Sequence, residues 1–145
     1  MARPSGARFG HCLASTVAAV QDTCSRIRMF LESHDLAHVC FPVELAAWES
    51  LCNAVEHGNR RDAGKQVHVD LAIGQRWIRL QVTDQGVGFD WRQSRTAPPP
   101  GSLPRGRGLA VCKLYASRLA FNQSGTQITL WFSTHKGGRP CPTIK

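Results

Sequence analysis

Pro42-Val43-Glu44-Leu45-Ala46-Ala47-Trp48-Glu49-Ser50-Leu51-Cys52-Asn53-Ala54-Val55-Glu56-His57-Gly58 is the stretch from which the fold can be read. Proline at its start and glycine at its end bracket a helix, because proline suits a first turn and glycine suits the residue past the last. Leu45, Trp48, Cys52 and Val55 fall on one stripe at helical spacing and are expected to face a core. Glu49 and Asn53 stand four residues apart on a different face, with Glu56 and His57 one turn on. A carboxylate and a carboxamide stacked this way can share one pocket, the first as a base and the second as a metal ligand. Taken alone, the same pair also reads as a solvated polar face.

Upstream, Phe9–Leu13 reads as a short strand, and Val17, Val20, Cys24, Ile27 and Leu31 mark the apolar face of a helix from about Thr16 to His34. Downstream, residues 67–73 and 77–82 alternate apolar and polar around Gly74-Gln75, as a β-hairpin does. Asp84-Gln85-Gly86-Val87-Gly88 follows where the second strand ends. A proline-rich loop with Pro98-Pro99-Pro100 leads to Arg105-Gly106-Arg107-Gly108-Leu109, which opens a third helix over about 109–119. A second hairpin pairs residues 120–123 with 127–132 across Ser124-Gly125. The order is that of an α+β sandwich with the helices on one sheet face. Residues 1–8 are expected to be a flexible N-terminus, 9–133 the domain, and 134–145 a flexible basic tail.

Besides the Glu49–Asn53 pair, two short segments carry chemistry. An aspartate at a strand end, here Asp84, can accept a hydrogen bond from a ligand amine, and Gly86 and Gly88 let backbone approach a flat ring. Exposed N–H groups at a helix N-terminus bind anions, and Gly106, Gly108, Arg105 and Arg107 would favour this. It is no Walker loop, since no Gly-Lys-Ser/Thr follows.

Composition agrees with one domain. The 145 residues (16.0 kDa) are 42% apolar and 19% charged, enough for a core and too apolar for global disorder. No apolar run reaches the roughly 18 residues of a membrane span. Arg3 and Arg8 before residues 13–20 faintly echo a signal peptide, but Ser15 and Thr16 interrupt it, and a cytoplasmic protein is expected. The charge is lopsided. Residues 1–88 hold nine Lys/Arg and nine Asp/Glu; residues 89–145 hold nine Lys/Arg against Asp90 alone, the whole excess of +8. Aromatic residues do not interleave with this basic half as stacking platforms would, so no specific nucleic-acid binding is expected. The six cysteines lack zinc-knuckle or redox spacing and are expected to be reduced, mostly buried thiols, although His11-Cys12 and His38 near Cys40 offer metal-ligand types.

Taken in order, Glu49-x-x-x-Asn53-Ala54-x-x-His57-Gly58, Asp84-x-Gly86-x-Gly88, Gly106-x-Gly108-Leu109 and Gly125-Thr126 resemble the nucleotide-binding boxes of the GHKL (Bergerat-fold) ATPases over about residues 9–133. The His-Gly after the asparagine and the small size look most like anti-sigma-factor serine/threonine kinases of the RsbW/SpoIIAB type. The resemblance implies a mixed, mostly antiparallel sheet with about three helices on one face, and ATP with Mg²⁺ as cofactors. Asn53 would hold Mg²⁺, and Glu49 would act as general base. Asp84 would read the adenine amino group with Thr126 nearby. His57, Gly86, Gly88, Arg105, Gly106, Arg107, Gly108 and Leu109 would complete the nucleotide site. The implied partners are an anti-anti-sigma (STAS-domain) protein carrying the acceptor serine, a sigma factor, and a second copy of the chain in a homodimer. Pro104 departs from the arginine often found two residues before the first lid glycine, and the 17-residue lid carries three consecutive prolines, which puts lid closure at issue. Two other readings stay beside the kinase: a non-catalytic module that binds ATP and sequesters a partner, and a histidine-kinase ATPase domain. The latter would need a His-bearing dimerisation hairpin, for which the residues before Pro42 leave little room.

Overall fold

The computed structural model describes residues 6–91 and 107–137. Five strands, β1 (Ala7–Ala14), β2 (Gln66–Ile73), β3 (Trp77–Thr83), β4 (Arg118–Phe121) and β5 (Gln127–Ser133), form one sheet in the order β1-β2-β3-β5-β4. All four strand pairings among the described residues are antiparallel. Three helices, α1 (Val17–Ser33), α2 (Cys40–Asn53) and α3 (Arg107–Tyr115), complete the expected α+β sandwich.

Strand alternation makes the sheet two-faced. Cross-strand register aligns Leu71 with Leu80 and Leu80 with Leu130, giving a leucine ladder with no exposed surface. Val69, Val82 and Ile128 make a parallel row, as do Ile73, Ile78 and Phe132. This face joins the helices in one core. His68, Asp70, Arg79 and Gln81 project from the other face.

Both ends of α1 were legible. Thr16 caps it, its hydroxyl accepting the Ala19 N–H at 3.1 Å. At the C-terminus Asp35 turns left-handed (φ 57°), Asp35 N–H donates to Glu32 and Leu36 N–H to Leu31, and the buried Leu36 and Leu31 close the Schellman motif.

The second helix differs from expectation in two ways. It starts at Cys40, directly after a 3₁₀ turn (Ala37–Val39), so Pro42 is its third residue. Proline is tolerated there because the first four N–H groups have no partner inside the helix. The fully buried face is Val43, Ala46, Ala47, Ser50, Leu51 and Ala54, whereas Leu45, Trp48 and Cys52 are only half-buried and Val55 alone of the expected stripe is enclosed. Because α2 runs between α1 and α3 and is apolar over most of its girth, period alone could not select the inner side. The small residues lie where the neighbours come closest. Ser50 is accommodated by donating to Ala46 O at 2.7 Å.

Other boundaries shift by a few residues. β1 begins at Ala7, with Gly6 N–H bonded to Ile73 O, so the fold reaches into the expected loose N-terminus. Gly74 N–H donates to Trp77 O, which makes Gln75-Arg76 the hairpin turn. α3 ends at Tyr115, because Ser117 N–H already bonds Trp131 O and residues 118–121 pair as a strand. Thr134, assigned to the tail, is buried, donating to Gln75 O and Arg76 O while its carbonyl accepts from His38 Nε2 at 2.8 Å.

Thr16→Ala is expected to lower unfolding free energy by about 1 kcal/mol, and Leu80→Ala by roughly 2–5 kcal/mol. Urea denaturation of both variants checks the order.

Candidate nucleotide site

Glu49 and Asn53 occupy the last turn and a half of α2, and both are half-buried. Beyond Asn53 the backbone widens into a π-helical turn, Ala54–Gly58, closed by Asn59 N–H to Ala54 O at 2.8 Å. Such turns often mark functional sites. This one delivers Gly58 to the loop after β3. A side chain on Gly58 would overlap the Asp84 carboxyl group, and one on Gly86 would overlap the Gly58 carbonyl. Gly88, at φ +80°, would likewise overlap the Ser124 carbonyl. Gly86 and Gly88 therefore serve close packing of the protein's own backbone, a use the spacing did not reveal.

Asp84 is held at several points. Its N–H donates to Thr126 O (2.9 Å), and its Oδ1 accepts the Gly86 N–H (2.8 Å). The other carboxylate oxygen lies beside Gly58. Burial pushes the Asp84 carboxyl above its ordinary range, opposed by the Gly86 hydrogen bond and by the charge of Lys65. Thr126 is adjacent, as expected, but its hydroxyl already engages the Asn122 amide and the Ser124 hydroxyl, each at 2.9 Å.

Asn59, which the sequence reading passed over, organises this corner. It is 1% exposed; its amide donates to Ser15 Oγ and Gln66 O, and its Oδ1 accepts the Gln85 N–H at 2.7 Å. Gln85 in turn accepts the Gln66 N–H. The only signal in the chain was an asparagine just after a helix-ending glycine, which is indistinguishable from a turn residue.

At the far end of the site α3 meets α2. A Cβ on Gly108 would stand 3.0 Å from both Glu49 Oε2 and Asn53 Nδ2, so the first turn of α3 sits over the pair and glycine keeps that space open. Arg107 is the first residue of α3, and Leu109 is half-buried against the core. His57 lies on the π-helical turn and is exposed. Arg105 and Gly106 lie outside the described residues, as does the lid with Pro98-Pro99-Pro100.

The donor set fits a nucleotide with Mg²⁺. A half-buried carboxylate is aimed beside two glycines for an exocyclic amine. Asn53 and Glu49 offer the oxygen ligands a hard cation takes, and the start of α3 beside them carries N–H groups without a partner inside the helix, which suit phosphate.

This arrangement, helices on one face of an antiparallel sheet with Glu49 and Asn53 beside Gly108 at one end of α2 and Gly58 against Asp84 beyond it, is that of the GHKL (Bergerat-fold) ATP-binding domain. The family model for the histidine kinase-like ATPase domain matches residues 13–132, and the chain belongs to that family. Among the described residues no helix is long and apolar enough to cross a membrane.

Because Asp84 holds its proton more tightly folded than unfolded, stability falls as pH rises from the ordinary carboxylate range through the raised one. Asp84→Asn is therefore expected to be more stable than wild type at pH 7, with the advantage lost below the ordinary carboxylate range. Its ATP affinity should fall roughly tenfold or more, the worth of a charge-assisted hydrogen bond. Thermal melts across pH, with calorimetric ATP titration, test both. Asn59→Ala strips partners from Ser15, Gln66 and Gln85 and should cost about 3 kcal/mol, together with weaker ATP binding, by urea denaturation and the same titration.

Proposed function

We propose that this protein is an ATP-dependent serine/threonine protein kinase acting as a cytoplasmic anti-sigma switch, phosphorylating an anti-anti-sigma (STAS-domain) partner and sequestering a sigma factor. One observation carries the kinase reading. Glu49 Oε2 lies 3.0 Å, and the Asn53 amide 3.0 Å by Nδ2 and 3.5 Å by Oδ1, from where a Gly108 side chain would project, so a carboxylate and a carboxamide flank one place at the start of α3. When bound, ATP·Mg²⁺ would supply the γ-phosphoryl group, with ADP as the leaving group and the cation offsetting the charge that develops on it. Glu49 accepts at Oε2 the proton of the incoming serine or threonine hydroxyl. Asn53 would hold the cation through its side-chain carbonyl. Asp84, fixed by Gly86 and Thr126, would orient the adenine, and the N–H groups opening α3 from Arg107 would receive the phosphates.

The target is argued from the resemblance of the Glu49–Gly58 box to those of the anti-sigma kinases. The second reading is a non-catalytic module in which ATP is structural and sequestration is the whole function. Glu49 speaks against it, since a binding-only site needs no carboxylate beside the cation ligand.

Glu49→Gln is expected to bind ATP as wild type does and to transfer phosphate to a STAS-partner serine about 10²- to 10⁴-fold more slowly, read as a phosphate mass shift. Transfer at the wild-type rate would show that Glu49 is not the base. A wild-type protein that binds ATP and the partner but transfers nothing would establish the sequestering module instead.

A further inference from the structure

Strand register lines up one transverse row on the open face of the sheet. Arg8 on β1 pairs with Ala72 on β2, Ala72 with Arg79 on β3, Arg79 with Trp131 on β5, and Trp131 with Arg118 on β4. Three arginines therefore stand on one line across all five strands, each roughly 10 Å from the next at the usual strand spacing. Ala72 and Trp131 separate them, so no two guanidinium groups are directly opposed. Arg8 and Arg118, at the two ends, are exposed, and the Arg118 guanidinium lies 4.7 Å from the centroid of the Trp131 ring. Trp77, two residues before Arg79 on β3, shares this face and is half-buried.

Asp70 is the one carboxylate on this face among the described strand residues. It takes Arg8 at 3.0 Å and Arg79 at 3.5 Å. One carboxylate against three guanidinium groups leaves the face with an excess of positive charge. A solvated sheet face is ordinarily polar, yet this one carries two tryptophans among arginines, the residue types that dominate the centres of protein interfaces.

Charge selects the occupant. A two-fold contact with a second copy would set arginines against arginines. The chain's own segments outside the described residues, 1–5, 92–106 and 138–145, are no better suited. They carry Arg3, Arg92, Arg95, Arg105, Arg139 and Lys145, and not one aspartate or glutamate. A single-stranded nucleic acid would need a free ring to stack on, and Arg118 lies over that of Trp131.

We infer that the open face of the sheet docks an acidic segment of another protein, its carboxylates received by the row Arg8, Arg79 and Arg118. The guanidinium fork holds a carboxylate by two parallel hydrogen bonds, and Trp131 and Trp77 supply the apolar ground between the charges. The face lies across the sheet from the helices and the nucleotide cleft, so the inference does not depend on the kinase reading.

The test uses the full chain and a fluorescein-labelled peptide of alternating glutamate and threonine. About ten residues suffice to cross the row, which spans roughly 19 Å. Fluorescence anisotropy at low ionic strength is expected to show saturable binding, at least about tenfold tighter than for the matching glutamine–threonine peptide. Arg118→Glu and Arg8→Gln should each weaken it about tenfold with unchanged thermal melts and ATP binding. Lys113→Glu makes the same charge change as Arg118→Glu on the helical side and should leave the affinity within about twofold. No binding, equal affinity for the glutamine peptide, or an equal loss in Lys113→Glu would each overturn the inference. So would tighter binding of a thymidine oligonucleotide that Arg118→Glu abolishes, which would make the face a nucleic-acid platform. Sedimentation equilibrium showing a dimer that Arg118→Glu dissociates would assign the face to a second copy instead.

Discussion

Gly58 and Gly86 meet backbone to backbone beside the Asp84 carboxyl group, and the rest of the nucleotide site depends on that contact. No side chain fits on either residue. Their approach joins the end of α2 to the end of β3, which ties the helix bearing Glu49 and Asn53 to the strand-end aspartate. It also desolvates Asp84, raising the energy of the ion that a ligand amine would later stabilise. The π-helical turn at Ala54–Gly58 is the device that makes the approach possible, since an α-helical turn would carry Gly58 round the axis by a different angle. Asn59 then locks the junction with three hydrogen bonds that leave no buried amide group without a partner.

The two faces of the sheet have divided the labour. One is a continuous apolar layer under the helices, into which the helix thiols Cys24, Cys52 and Cys112 pack. Burial pushes Cys24 and Cys112 up to about 12 and Cys52 up to about 11. The other face keeps polar groups at working distances, including Cys12 with His68 and the Asp70 carboxylate between Arg8 and Arg79. Of the basic half of the chain, Lys113 and Arg118 are exposed, and the Arg118 guanidinium lies 4.7 Å from the centroid of Trp131.

The fold was largely legible because its signals are local. Thr16 and His34 bound α1 as the apolar period predicts, and alternation placed β2, β3 and β5 to within a residue. Leu119 was read into a helix because its apolar neighbours fit either period; pairing with Leu130 settled it as strand. The site was legible as an ordered set of residue types, Glu49, Asn53, Asp84 and Gly108, with no indication of what each would touch.

The sequence by itself determined the α+β order, the apolar face of α1, the alternation of the strands and the four boxes around the cleft. These follow from period, capping and turn chemistry, which act over a few residues. Only the tertiary structure decided which side of α2 is buried, that Gly86 and Gly88 accommodate neighbouring carbonyls, that Asn59 pins the Asp84 loop, and that Cys12 faces His68 instead of His11. Each of these is a contact between segments distant in the chain, set by how α2 is enclosed and by strand register, and no local pattern encodes it.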